Sequence, residues 1–331
     1  MVIIHSPSYD LHNHEGHVEN SGRTRAILRA IESSDLSPRF VEPGMAGIDD
    51  ILMVHSSTHV EYLEVFAGRG GGWLDYDTYM TPESFSVARL SAGGAMLAAE
   101  EALRDGWSYS LGRPPGHHAT YDRSMGFCIF NNIAIAIEHA RRNLGVSRPL
   151  VLDFDVHHGN GTSSIFYRDR DVMYISIHQD PRTLFPGTGF IDETGSGEGE
   201  GFNLNIPMPR GSGNREYLWI LGIILPAVLE GFRPDMIFVS AGFDAHRRDP
   251  LAEIMVDEEF FSWIGWFIHQ TGLPCAAVLE GGYDPEALGR SNIAFLRGLD
   301  GEEYEPETAA PEGVSEIFSQ LSDRFSAYFN F

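Results

Sequence analysis

Seven short apolar runs, separated by stretches of helical spacing, constrain this chain more than any other feature. They read VIIH from residue 2, WSYSLG from 107, PLVLDFD from 149, VMYISIH from 172, FNLNIPM from 202, MIFVSAGFD from 236 and CAAVLEGGY from 275. Most lack the polar alternation of a strand with one wet face, and continuous apolar runs suit a parallel sheet covered on both sides. Helical patterns near residues 20–33, 83–104, 131–143, 214–230, 257–271 and 285–297 lie between them. This alternation predicts a three-layer α/β fold: an open, mainly parallel sheet with helices on both faces and right-handed crossovers. No repeat, proline-rich linker or low-complexity tract divides residues 1–331, so one domain is expected. GSGEGEG (195–201) reads as a surface loop, and residues 300–313 as an exposed connector before a last amphipathic helix.

Composition narrows the function classes. The 331 residues suffice for a substantial core. No run of about 18 apolar residues occurs, nor an apolar N-terminal stretch preceded by positive charge, so a cytoplasmic protein that neither enters nor crosses a membrane is expected. Cys128 and Cys275 lie inside apolar runs and read as buried reduced thiols rather than a disulfide or a thiolate metal site. Against 47 acidic residues stand 23 basic ones, a formal charge of −24. That balance argues against nucleic acid and favours cationic ligands by steering, although solubility is its simplest reading. All the basic residues are arginine, so the chain has no lysine of its own to be modified; the sequence offers no physical reason for this.

The unusual polar clusters all fall where a run ends. WSYSLG leads into RPPGHHA and PLVLDFD into VHHGNG, MIFVSAGFD ends at Asp244, and CAAVLEGGY ends at Tyr283. In open α/β sheets ligands bind beyond the carboxyl ends of the strands. Buried carboxylates and imidazoles are costly unless they are paired or hold a metal. Asp155 and His157, one residue apart, point the same way from an extended strand end, and Asp244 is the natural third ligand. Three protein ligands with an open position suit catalytic Zn2+, while the oxygen-rich set leaves Fe2+, Co2+ and Mn2+ open. His158 points to the opposite face and reads as structural.

Adjacent histidines alone would read as satisfied core residues, and a tyrosine after a strand as packing. Beside a metal site, His117 and His118 become acid/base candidates, with Asp153 and Asn160 available to orient them. A carboxylate would hold one imidazole charged, and a neutral amide would leave the other able to cycle. The Tyr283 hydroxyl could stabilise an oxyanion opposite the metal, and the two glycines before it let the loop approach closely.

These residues resemble the histone deacetylase and acetylpolyamine amidohydrolase family, nearest its class II and prokaryotic members. The similarity is carried by HNHEGHVENSGRTRAIL, DYDTYMTPES, RPPGHHATYDRSMGFCIFNN, DFDVHHGNGT, SIHQDPRTLFPGTG, SAGFDAHRRDP and LEGGYDPEAL, in family order along nearly the whole chain. The resemblance implies Zn2+ on Asp155, His157 and Asp244, and His118 as general base and then acid. It makes His117 the electrostatic partner and Tyr283 the carbonyl donor. It further implies Asp153 behind the first histidine and, with Ser176, as ligand of a structural K+. Asn160 stands where class I relatives carry aspartate. Gly126 and Phe127 in MGFC, with Phe185 in LFPGTG, match the wall of a narrow acyl-lysine channel, and Asp77 matches a rim carboxylate that grips substrate. Leu251 occupies the position, seven after the third ligand, where polyamine-specialised relatives can place glutamate, so polyamine selectivity by that device is not supported.

The implied activity is hydrolysis of acetyl or other short acyl amides. Acetylated proteins, peptides or polyamines are the substrates expected, and a homo-oligomer is possible. Binuclear manganese ureohydrolases resemble the chain in carrying Asp and His at the same strand ends, but they need a second set of bridging carboxylates that Asp-x-Asp-x-His and a single Asp244 do not supply. A noncatalytic acyl-lysine binder would be expected to lack a ligand, His118 or Tyr283, and all are present.

Overall fold

The computed structural model describes residues 1–304, 311 and 313–331. Its strands are β1 (Val2–Ile4), β2 (Arg39–Val41), β3 (Gly72–Trp73), β4 (Tyr79–Met80), β5 (Trp107–Ser110), β6 (Pro149–Asp153), β7 (Met173–Gln179), β8 (Asn203–Met208), β9 (Met236–Ala241) and β10 (Cys275–Leu279). Eight form one sheet in the order β2-β1-β5-β10-β9-β6-β7-β8, and every neighbouring pair is parallel. β3 and β4 make a separate antiparallel hairpin. The helices are α1 (Gly22–Glu32), α2 (Ile48–Ile51), α3 (Ser57–Gly68), α4 (Ser84–Asp105), α5 (Asn132–Asn143), α6 (Asn160–Phe166), α7 (Asn214–Phe232), α8 (Glu258–Thr271), α9 (Pro285–Leu299) and α10 (Ser315–Phe325).

The unbroken apolar runs are explained by two separate cores, one on each face of the sheet. Leu150 and Leu152 of β6, Ile237 and Val239 of β9, and Ala277 and Leu279 of β10 join residues of α1, α7, α8, α9 and α10 in one core. Their alternate neighbours Val151, Phe238, Ala276 and Val278 join α2, α3, α4, α5 and α6 in the other. Period-two alternation is therefore present in the strands but hidden, because both sets are apolar. α4 presents Ala88, Ala92, Ala95, Ala98, Ala99 and Ala102, all buried, and such small side chains let its backbone lie close to the sheet and to α5.

The six helical patterns and seven runs correspond to α1, α4, α5, α7, α8 and α9 and to β1 and β5–β10. The structure adds β2, a mostly exposed edge strand, together with the β3–β4 hairpin, α2, α3 and α6. α10 is the amphipathic helix expected after the connector. Residues 305–310 and 312 of that connector lie outside the described residues.

Strand order is what positions the site. The clusters after β5, β10, β9 and β6 come from distant parts of the chain, yet these four strands adjoin one another. Caps then fix how the chain leaves them: Asp284 accepts from Ala287 N at 2.8 Å and Pro285 opens α9, so the chain turns into helix directly after Tyr283.

Candidate active site

Asp155, His157 and Asp244 converge, with one ligand atom from each lying within 4.8 Å of the others. They do so in a bend rather than in the extended strand expected, since β6 ends at Asp153. His157 N donates to Asp155 Oδ1 at 2.9 Å, folding the segment so that the imidazole returns over the carboxylate. Phe154 and Val156 still point into the core between them. His157 Nδ1 stands 3.0 Å from Asp155 Oδ1 and 3.1 Å from Asp244 Oδ2.

The remaining lone pairs are aimed by backbone. Asp155 Oδ2 accepts from Gly281 N at 2.7 Å and Asp244 Oδ1 from Val156 N at 2.9 Å. A Cβ at Gly281 would lie 2.0 Å from Asp244 Oδ2 and 2.5 Å from Asp155 Oδ2, so only glycine permits this approach. Burial alone would lower the His157 pKa, but hydrogen bonds and charge from Asp155 and Asp244 outweigh it and hold it up at about 10. A buried trio that gathers positive charge so strongly, built from two oxygen donors and one nitrogen donor, fits a divalent cation, which would take the place of that proton.

Next to the trio the two histidines diverge in chemistry. His117 Nδ1 lies 3.1 Å from Asp153 Oδ2, and His118 Nδ1 lies 2.8 Å from Asn160 Oδ1. Burial would lower both. At His117 the charges of Asp153, Asp155 and Glu280 overcome it and raise the group to about 10. At His118 the charges of His117 and His157 reinforce burial, and the pKa falls well below the usual imidazole value. Asp153 Oδ2 also accepts from the Tyr174 hydroxyl at 3.1 Å, and Oδ1 from Asp155 N at 3.2 Å. Ser176 is the register partner of Asp153 on β7, and its hydroxyl lies 2.7 Å from His178 Nδ1. His158 Nδ1 lies 2.8 Å from Thr188 Oγ1.

Tyr283 follows β10, its ring stacked under the Arg23 guanidinium at 4.9 Å. Its phenol is pushed well above its ordinary value by burial, helped by the charges of Asp244, Asp155 and Asp249 and opposed by Arg23, so it stays a hydrogen-bond donor. Phe185, 42% exposed, lies 5.1 Å from the His118 ring and 6.5 Å from His157. Phe127 lies 5.6 Å from Tyr283, edge to face. The two phenylalanines thus border the histidine side and the tyrosine side of the centre. Gly126 has φ +56°, and a Cβ there would meet His118 Cδ2 at 2.5 Å and Phe185 at 3.0 Å. Asp77 sits half-buried on the hairpin turn, where Thr78 Oγ1 accepts from Phe127 N at 3.1 Å and His17 Nε2 bonds the Asp77 carbonyl at 3.0 Å. Leu251 is half-buried and donates its N–H to Asp249 Oδ1 at 3.0 Å.

Several site neighbours were not singled out from the sequence. Glu280 is fully buried and accepts the N–H groups of Gly116 and His117 at 2.7 and 3.1 Å, orienting the histidine segment. Burial pushes it up to about 7 against the lowering charge of His117. Arg23 donates to Gly282 O at 2.7 Å and to the Glu280 carbonyl, and pairs with Glu19, which Arg113 also grips. Both acidic positions lie in the motifs HVENSGR and LEGGY, so the signal was a carboxylate inside a motif whose partner cannot be read from spacing.

Residues 17–299 match the Histone deacetylase domain family. A protein named "Probable deacetylase" from Methanothermobacter thermautotrophicus is 99% identical over 331 residues, 100% of both chains. A "Histone deacetylase-like amidohydrolase" from Pseudomonas aeruginosa is 40% identical over 86% of this chain and 77% of its own. The crystal structure of the HDA15 HD domain superposes with a TM-score of 0.92 at 29% identity, covering 99% of this chain and 96% of that one. A centre of two aspartates and a histidine at adjoining strand ends, in a fold and sequence shared this extensively, makes the chain a member of the histone deacetylase family.

Proposed function

We propose that the protein is a metal-dependent amidohydrolase that removes acetyl or other short acyl groups from acyl-lysine side chains or related N-acyl amines. The observation that carries this reading is the unequal pairing of the two histidines beside the Asp155–His157–Asp244 trio. Zn2+ is the expected occupant, and when bound it supplies Lewis acidity toward water and the amide carbonyl. His118, neutral because burial and two neighbouring imidazoles disfavour its charged form, accepts the proton of the attacking water. It returns that proton to the amine nitrogen as the C–N bond breaks. His117, kept protonated by Asp153, contributes field without carrying the transferred proton. The Tyr283 hydroxyl donates to the carbonyl oxygen as negative charge develops on it.

Phe127 and Phe185 are read as walls of the slot for the substrate's alkyl stem, and Asp77 as a rim contact. A K+ ion near Asp153 and Ser176 belongs to the same reading, supported by their adjacency across β6 and β7. The centre offers one ion's worth of ligands among the described residues, which favours amide hydrolysis over binuclear ureohydrolase chemistry. No helix among the described residues is long and apolar enough to cross a membrane.

The test is to assay purified protein against acetyl-lysine peptides and acetylpolyamines while measuring bound metal. Hydrolysis that is lost on chelation and restored by Zn2+, Co2+ or Fe2+ is expected. Fully metallated protein inert on every member of the panel would overturn the reading.

A further inference from the structure

The loop that carries Tyr283 is tied to its surroundings through its backbone, and one tie runs to a carboxylate the proposed reaction does not use. Asp249 is 8% exposed. Its Oδ2 accepts the backbone N–H of Tyr283 at 2.6 Å and its Oδ1 that of Leu251 at 3.0 Å. It lies five residues after Asp244 on the segment that leaves β9. Two turns shorten that segment, with His246 N bonded to Phe243 O at 3.3 Å and Asp249 N to His246 O at 2.7 Å.

We infer that Asp249 is a positioning residue for Tyr283. By joining the Tyr283 backbone to the segment that bears Asp244, it fixes the distance between a metal ligand and the oxyanion donor. The inference rests on the role given to Tyr283 under the proposed function.

The local chain cannot set that distance by itself. Gly281 and Gly282 precede Tyr283, and Gly282 has φ +116°, a conformation with little intrinsic preference to aim the next side chain. Backbone ties restrain the stretch from Gly281 to Tyr283. Gly281 N donates to Asp155 Oδ2, Phe243 N donates to Gly281 O at 3.1 Å, Arg23 Nε donates to Gly282 O, and Tyr283 N donates to Asp249. Among the named ties, only the last acts on Tyr283 itself. An N–H bonded to a buried carboxylate is short and strong, and displacing a catalytic donor by about 1 Å can cost on the order of 10²-fold in rate.

A double-mutant cycle tests the inference. Asp249→Ala is expected to lower kcat on an acetyl-lysine peptide by roughly 10- to 100-fold, the range seen when supporting partners of a site are removed. KM and bound metal should change little. Asp249→Asn keeps one acceptor oxygen and should fall between Asp249→Ala and the parent; if the alanine variant fails to fold, the asparagine variant carries the same cycle. In a Tyr283→Phe background no donor remains to be positioned, so the Asp249 change should then cost less than about 3-fold. Equal fold-losses in both backgrounds, or parallel loss of metal and activity in both Asp249 variants, overturn the inference. Tyr283→Phe by itself tests the oxyanion role. Full activity there would remove that role and this inference with it, whereas a large loss with an additive Asp249 effect would overturn the inference alone.

Discussion

The floor of the site and its rim are built by opposite means. On the floor, Asp153, Asp155 and Asp244 are at most 1% exposed, and each is held by donors from a different strand end. At the rim, Phe185 is 42% exposed, Trp73 on the hairpin is 48% exposed and Tyr76 is fully exposed. Rim side chains meet mainly through ring contacts, such as His17 with Phe127 at 4.8 Å and His14 with Trp73 at 5.0 Å. Buried charges must have every lone pair answered, which forces one geometry. Rim aromatics carry no such debt and can shift to suit a ligand. Under the proposed function the floor would fix which bond is broken, and the rim which molecule brings it.

The sharpest way to break that division is to strike the floor. Asp155→Ala or His157→Ala should abolish bound metal and reduce activity to background, because two ligands rarely retain a divalent ion. The fold should survive, since its two apolar cores do not include these side chains. Metal analysis beside a peptide assay reads both quantities, and full metal occupancy in either variant would remove the residue from the ligand set.

A smaller but more discriminating contrast lies within the floor. His118→Ala should cost at least about 10²-fold in kcat, the lower range for a general acid–base group, and should erase the acid limb of the pH profile. In the parent protein activity should fall as pH drops through the His118 pKa, because protonation removes the base. That pKa is depressed, so the limb should lie below the ordinary imidazole value of about 6.5. His117→Ala should cost less and keep the limb. A greater loss from His117→Ala, with both proteins folded and metallated, would exchange the two roles.

How much of this was legible in the sequence also divides along physical lines. Strands buried on both faces announce themselves as unbroken apolar runs, and β5–β10 were found that way. β2 was not, because Arg39, Phe40 and Val41 form an edge with little burial. The convergence of Asp155, His157 and Asp244 was legible because charge at the end of an apolar run is improbable without a partner. The adjacency of β5 and β10, which brings the segments bearing His118 and Tyr283 to one edge, was not; parallel pairing across 164 intervening residues leaves no local mark. Asp249, Glu280 and Thr78 were missed for a related reason. Each acts by accepting a backbone N–H from elsewhere in the fold, and spacing does not name such a donor. Glu19, Arg23 and Arg113 form a fully buried ion network, whereas such residues are ordinarily on the surface.

The smallest expected effects belong to the rim, and they sharpen the comparison most. Phe185 touches His118 and His157 by its ring alone, and Phe127 is set by Thr78 and His17 in a left-handed backbone conformation, φ +69°. Replacing Phe185 with alanine would remove the apolar wall that the proposed slot offers a substrate stem, without removing a proposed proton carrier, ligand or oxyanion donor. The loss should appear as a rise in KM for acetyl-lysine peptides of about 10-fold, equivalent to roughly 1.4 kcal/mol, with kcat nearly unchanged. The widened slot should also narrow the gap in kcat/KM between acetyl and longer acyl groups. Phe127→Ala should act similarly but reach kcat as well, because its ring also packs on Tyr283. A Phe185→Ala variant that lost kcat at constant KM would place that ring among the reacting groups, and the separation of floor from rim would fail at that residue.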